Sequence, residues 1–207
     1  MIHITFPDGN IRAYAPGTTA MEVAQSISQG LARNVLSASY NGQTIETSTP
    51  LTTDGTIAFY TWDDAKGKEA FWHSSAHVLA QTIMHFYPAA KLTIGPAIEN
   101  GFYYDVDLGE ETISDKDFKK IEDKMLEFAR QKFEFKMRSA SKAEALEMYK
   151  NNEFKTELIT NLEDGTITFC DHADFTDLCR GGHIPNTGFI KATKVMSVAG
   201  AYWRGDE

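Results

Sequence analysis

The stretch from Glu69 to Phe86 contains neither glycine nor proline, and Pro88 closes it. An unbroken run of that length with a proline stop predicts one helix of several turns, and it constrains the fold more than any other feature. His73 and His77 stand four residues apart on it. Their rings therefore project from one helix face, about a turn apart.

Upstream, residues 1–62 read as a separate small unit. Ile2 to Phe6 alternates apolar and polar side chains, and Asp8-Gly9 is a hairpin signal ahead of a second strand, Asn10 to Ala15. Thr19, with Glu22 three residues later, forms a capping box that opens a helix to about Ser28. Val35 to Tyr40 reads as a strand ended by Asn41-Gly42, and Asp54-Gly55 introduces the last strand, Thr56 to Trp62. This succession is that of a β-grasp, or ubiquitin-like, domain. The polar stretch Asp63 to Lys68 marks the boundary with a second domain over 63–207.

Beyond the long helix, Lys91 to Ile98 and Phe102 to Val106 read as strands joined across Asn100-Gly101. Lys116 to Gln131 is an amphipathic helix with Phe118, Ile121, Met125 and Phe128 on its apolar face. Phe133 to Met137 alternates as a strand, and Ser141 with Glu144 caps a helix to about Tyr149. Glu163-Asp164-Gly165 turns into a strand, Thr166 to Cys170, and Phe189 to Trp203 supplies one or two more. The expected class is α+β: a small β-grasp domain, then an α+β domain whose long helix packs on an antiparallel sheet.

The chain's 207 residues suffice for one large domain or two small ones. A net charge of −9 argues against a protein that coats nucleic acid indiscriminately. It leaves room for an enzyme that grips only the 3′ end of an RNA. Apolar runs are short and broken by charges, which excludes a membrane-spanning segment. The opening MIHITFPDGN lacks the features of a signal peptide. Two cysteines, Cys170 and Cys179, give no disulfide framework, and the expected location is cytoplasmic.

A second pair spaced by four, Cys179 and His183, lies in the glycine-containing segment Asp177-Leu-Cys-Arg-Gly-Gly-His183. Three readings fit His73, His77, Cys179 and His183: a structural helix with a buried thiol, a zinc site, or a metal-free acid–base site. Three His and one Cys make a chemically complete ligand set for zinc. A metalloprotease of the H-E-x-x-H type is excluded, because position 74 is serine and the water-activating glutamate is missing. Imidazole titrates near neutrality, so the third reading needs no metal.

His73-Ser-Ser-Ala-His77, Ile94-Gly-Pro-Ala-Ile98, Asn100-Gly-Phe-Tyr-Tyr-Asp105, Asp177-Leu-Cys-Arg180, His183-Ile-Pro-Asn186 and Ala199-Gly-Ala-Tyr-Trp-Arg-Gly-Asp206 follow one another in that order. Together they closely resemble the N-terminal half of bacterial threonyl-tRNA synthetases. Residues 1–62 look like the TGS domain of that family and residues 63–207 like its editing domain. The resemblance implies a site that hydrolyses seryl-tRNA(Thr) and spares the threonyl product, because a synthetic site that accepts threonine cannot exclude the smaller serine by size.

Carried over residue by residue, the resemblance implies catalytic roles for His73, Lys155 and His183. His73 and Lys155 would position water and move its proton. Lys155 has the alternative of stabilising the oxyanion, and His183 would contact the terminal ribose or the leaving oxygen. His77, Asp177 and Cys179 would read the serine hydroxyl and ammonium, while Gly95, Pro96 and Tyr104 line the pocket for amino acid and terminal adenosine. Cys179 as the attacking nucleophile is disfavoured, since no neighbouring motif marks it as an activated thiolate. Gly182 stands where the family commonly carries proline, which is expected to loosen that loop.

The partners implied are the acceptor end of tRNA(Thr) and its seryl group. Nothing in the sequence matches a class II synthetase core or an anticodon-binding domain, so the chain is expected to edit without activating threonine. No cofactor is expected here; zinc, ATP and magnesium belong to the absent core, as does the homodimer interface of the full-length enzyme. Two other readings stay open. One is a non-catalytic RNA-binding or regulatory TGS-type module. The other is a zinc-dependent editing hydrolase of the alanyl-tRNA type, with His73, His77, Cys179 and His183 as ligands.

Among the remaining residues, Tyr103 and Tyr104 are neighbours on a strand, so at most one should line the pocket. Trp62, Trp72 and Trp203 read as core or interface aromatics. His3, His85 and His172 read as ordinary surface or partly buried residues. Cys170 reads as a small buried side chain. Residues 116–142 lean basic but intersperse their signs, which reads as a solvated face.

Overall fold

The computed structural model describes residues 1–203. Strands β1 (Ile2–Thr5) and β2 (Ile11–Tyr14) form an antiparallel hairpin. The Thr19–Glu22 capping box opens α1 (Ala20–Ile27), and Ser28 caps a second, short helix, α2 (Gln29–Asn34). Three strands follow, β3 (Ser37–Tyr40), β4 (Gln43–Ile45) and β5 (Gly55–Tyr60), and the sheet order is β2-β1-β5-β3-β4. β1 runs parallel to β5 and the other neighbours are antiparallel, which is the β-grasp arrangement. Ala20 and Val23 of α1 close its core against Ile2, Ile4, Ala38, Leu51 and Ile57.

Two elements here have weak sequence signals. Val35 ends α2, so the strand expected from Val35 begins two residues later. Asn41-Gly42 does more than end a strand. Both residues take positive φ, 50° and 77°, and Tyr40 pairs with Gln43, so the dipeptide is a tight hairpin turn that adds β4.

The long helix α3 spans Ala65–Phe86. It starts before Glu69 and includes Gly67, where a Cβ would stand 2.0 Å from the carbonyl oxygen of Thr61. Four two-residue strands follow: β6 (Lys91–Leu92), β7 (Ala97–Ile98), β8 (Gly101–Phe102) and β9 (Val106–Asp107). They pair as β6-β9 and β7-β8, because the Ile94-Gly95-Pro96 stretch interrupts what the sequence reads as one strand. Next come α4 (Asp115–Arg130), β10 (Lys136–Ser139), α5 (Lys142–Met148) and α6 (Glu153–Thr160). Strands β11 (Thr168–His172) and β12 (Phe175–Leu178) complete an antiparallel sheet of order β10-β11-β12, and a 3-10 turn covers Thr187–Phe189.

Several expected boundaries shift. The strand expected at Phe133–Met137 runs instead over Lys136–Ser139, where it pairs in register with β11, while Phe135 turns inward to the core. Helix α6 and strand β12 lie in stretches left unassigned by periodicity. Residues 190–202 form no helix or strand, against the one or two strands expected there.

The main core joins α3 to α4 through Val78, Ile83, Ile121, Met125 and Ala129, with Phe135, Ile184 and Ile190 beside them. Each fully buried Ile or Met contributes about 1.5–3 kcal/mol of transfer free energy. That packing fixes which way the histidine face of α3 looks. Along the exposed side of α4, Lys120–Asp117 and Lys124–Glu127 pair one turn apart, as expected of a solvated face. Among the described residues no helix is long and apolar enough to cross a membrane.

Candidate active site

The face of α3 that carries His73 and His77 meets the segment following β12. Ser74, where a metalloprotease would need glutamate, ties that segment down: Ile184 N donates to Ser74 Oγ at 2.9 Å. His183 is thereby held against the helix. His73 Nε2 lies 3.0 Å from Cys179 Sγ, and His183 Nε2 lies 3.3 Å from the same sulfur. Gly181 N also points its donor at the sulfur, at 3.3 Å. The imidazoles of His73 and His183 stack at 4.8 Å, and His77 meets them edge-on or tilted at 4.7 and 5.0 Å. Phe135 stacks on the other face of His183 at 4.8 Å and 8°. One ligating atom from each of His73, His77, Cys179 and His183 falls within 4.8 Å of the others.

Asp177, two residues before Cys179, is the hub of a second, contiguous cluster. Its Oδ1 accepts from Lys155 Nζ at 2.7 Å and from Leu178 N at 2.8 Å, and its Oδ2 accepts from the Tyr104 hydroxyl at 2.6 Å. His77 Nδ1 lies 3.4 Å from the same Oδ2 and so bridges the two clusters. Lys155 reaches inward from the first turn of α6. Asn152 caps that helix by accepting from Lys155 N, while its amide donates to Leu92 O and pins the helix to β6. Tyr104 is held by Gly95: a Cβ at that position would stand 2.2 Å from the nearest ring carbon. Pro96 lies half-buried in the same connection between β6 and β7.

The electrostatics follow from this crowding. Burial opposes ionisation of the Cys179 thiol, but its hydrogen bonds with His183 and His73 and the nearness of His77 outweigh it and bring the thiol down to about 3. Burial also opposes protonation of His183 and His77. Cys170, Cys179 and Glu46 raise His183 well above the ordinary imidazole value, and Asp177 and Cys179 raise His77. Asp177, though buried, is held well below the usual carboxylate range by Lys155 and His77. The cluster therefore favours the thiolate form of Cys179 and the carboxylate form of Asp177, beside two imidazoles shifted towards protonation. That revises the expectation for Cys179, which is surrounded by the groups that stabilise a thiolate.

All nine residues singled out in the sequence lie in or against this one region. Tyr104 turns in and Tyr103 turns out to solvent, as adjacent strand-like positions should. His172 departs from expectation: it is fully buried, donating Nε2–H to Gln81 Oε1 at 3.1 Å beside His77, and burial pushes it down to about 3. The available signal was Cys170 and His172 two apart on one strand, hence on one face. Glu46, on the β-grasp side, also reaches His183, and no motif of the second domain points to it. Gly182, where a looser loop was expected, has its N–H bound by Glu46 at 2.8 Å. Arg204, Gly205 and Asp206 of the last motif lie outside the described residues. A cleft of about 1180 Å³ beside Arg33, Trp62 and Lys132 is separate from the histidine cluster.

Comparison with known proteins gives two family matches, the TGS domain over residues 2–61 and the threonyl and alanyl tRNA synthetase second additional domain over residues 167–207. The chain is 72% identical over 207 residues to threonine–tRNA ligase of Flavobacterium johnsoniae, covering 100% of the chain and 32% of that protein. Identity is 66% over 207 residues to the Flavobacterium psychrophilum ligase and 56% over 209 residues to that of Parabacteroides distasonis, with the same coverage. The chain thus spans about a third of the length of these curated relatives. It belongs to the threonyl-tRNA synthetase family, as the family's N-terminal region with its TGS domain and its editing-type second additional domain.

Proposed function

We propose that this region hydrolyses seryl-tRNA(Thr), using the joined clusters around Cys179 and Asp177 as its active site. The carrying observation is the convergence of His73, His77, Cys179 and His183 within 4.8 Å, directly beside the Lys155–Asp177–Tyr104 cluster. An aminoacyl ester is already activated, so the site has to orient water and move one proton rather than supply a covalent nucleophile. His73 is the half-exposed member of the histidine cluster, so it is the group that solvent and an entering ester meet first. It takes the proton of the attacking water. His183 faces it across the stack and serves the ribose or leaving oxygen.

Lys155 does not act as a base in this scheme, because its ammonium is committed to Asp177 in a buried pair. It holds the carboxylate and adds positive charge near the developing oxyanion. The Cys179 thiolate and Asp177 face the α-ammonium, and His77 reads the serine hydroxyl. Because His77, Asp177 and Cys179 are all buried, an added methyl finds no slack. A misfit of one methyl is worth about 1–3 kcal/mol, or 10–200-fold in rate. The partner is the acceptor end of tRNA(Thr), the setting is cytoplasmic, and the chemistry proceeds without a cofactor. A structure with a non-hydrolysable seryl-adenosine analogue tests the assignment. The seryl group is expected against His77, Asp177 and Cys179 with adenosine near Gly95 and Pro96; an analogue seated in the cleft beside Arg33 would overturn it.

A second reading has its own observation. His77 is buried with neither ring nitrogen in a hydrogen bond, and two of the four imidazole–thiol donors, His77 and His183, have carboxylates behind them. The set fits zinc, held by His73, His77, Cys179 and His183, and a carboxylate behind a ligating imidazole is a common support. Bound zinc would supply an acidic, polarised water. Metal analysis of protein purified without chelator, with deacylation measured before and after stripping, separates the readings: stoichiometric zinc and lost activity favour the metal enzyme.

A further inference from the structure

The β-grasp domain puts one side chain into the site of its neighbour. Glu46 directly follows β4 and is mostly buried, at 14% exposure, against a His183 side chain that is fully buried. Its Oε1 accepts from Gly182 N at 2.8 Å and lies 3.0 Å from His183 Nδ1, while Oε2 accepts from His183 N at 3.2 Å. Gly181 and Gly182 both take positive φ, 92° and 88°, and that double left-handed turn aims Gly182 N–H at the carboxylate. Proline at 182 could supply neither the φ nor the N–H. An ionised carboxylate only accepts, so Nδ1 of His183 has to carry the proton. Its other nitrogen, Nε2, then faces Cys179 Sγ.

We propose that Glu46 is a positioning residue of this active site. It fixes the orientation of His183 with Nδ1–H towards itself and Nε2 towards the reacting groups, and it locks the Gly181–Gly182 turn that offers its N–H to Cys179. The β-grasp domain is then a structural part of the hydrolytic site as well as an appended module. The inference rests on the proposed hydrolysis only for its kinetic readout. Its geometry stands on the contacts.

Glu46→Gln is the sharpest variant, because an amide must turn its NH₂ either towards Gly182 N and His183 Nδ1 or towards His183 N, setting donor against donor. Glu46→Asp keeps the carboxylate one methylene shorter. In the intact chain, the expected result is a single-turnover deacylation rate about 10–100-fold lower in Glu46→Gln, by analogy with loss of a carboxylate behind a metal-ligating imidazole. KM should change less than threefold by the same reasoning, and Glu46→Asp should recover part of the loss. Long-range ¹H–¹⁵N spectra should show Nδ1 of His183 protonated in the wild type, and a changed His183 Nδ1 signal in Glu46→Gln whichever way the amide turns. Wild-type rates in a folded Glu46→Gln, a defect confined to KM, or an unchanged His183 signature would overturn the proposal. A wild-type chain that hydrolyses nothing would sink the proposed reaction instead, and the His183 spectra would still decide the role of Glu46.

Discussion

Lys155 Nζ stands 2.7 Å from Asp177 Oδ1, and both side chains are about 3% exposed. A buried pair of this kind is held less by its own attraction than by the cost of leaving either charge alone. Lys155→Met and Asp177→Asn should each destabilise the chain by about 3–5 kcal/mol, and the double variant by less than their sum. Urea unfolding of the four proteins checks this. Strict additivity would mean that the two charges do not depend on each other.

The identity of the nucleophile can be read from Cys179. If water attacks, Cys179→Ala retains measurable deacylation while its preference for serine over threonine falls, within a range of about 10–200-fold. Mass spectrometry of the quenched wild-type reaction should find no seryl adduct on the sulfur. A seryl thioester at Cys179 would show that the acidic thiolate attacks after all.

Gly95 sets the place of Tyr104. Because an added Cβ would fall 2.2 Å from the ring, Gly95→Ala must displace the tyrosine from Asp177. The expected cost is about 1–3 kcal/mol of overpacking. Tyr104→Phe, which loses only the hydroxyl but takes a donor from a buried carboxylate, should cost about 1.5–3 kcal/mol. Thermal or urea unfolding orders the two. Equal stability of wild type and Gly95→Ala would show that this region yields freely.

His172 gives the pH prediction. Its folded value of about 3 is below the ordinary imidazole value, so between the two the unfolded chain binds more protons. The stability it contributes is complete above about pH 6.5 and is lost as pH falls towards 3, at no more than about 1.4 kcal/mol per unit. His172→Gln should therefore flatten the acid limb of the stability curve. Parallel curves for the two proteins would contradict the assignment.

How much of this was legible in the sequence depends on the range of each contact. The helix α3, the capping boxes and the i, i+4 pairs are local, and periodicity with a proline stop placed them within a few residues. Helix α6 escaped because its eight residues carry Lys155 inward and little apolar periodicity. Strand β12 escaped because its neighbour β11 supplies its partner bonds. Residues 190–202 look strand-like but have no strand partner among the described residues. In the site, spacing paired His73 with His77 and Cys179 with His183, and the family resemblance added Lys155, Asp177, Tyr104, Gly95 and Pro96, but neither pointed to Glu46, whose contact with His183 spans 137 positions. Nor did either show that Gly182 acts through its N–H.

The central claim is that one cluster hydrolyses a serine ester and spares a threonine ester. Its most direct test is the single-turnover deacylation of Ser-tRNA(Thr) and Thr-tRNA(Thr) by the intact chain, with His73→Ala alongside. Loss of the seryl ester at least about tenfold faster than the threonyl ester, and a collapse of that rate in His73→Ala, is the predicted result. Equal loss of both esters, or a His73→Ala variant as fast as the wild type, would contradict it.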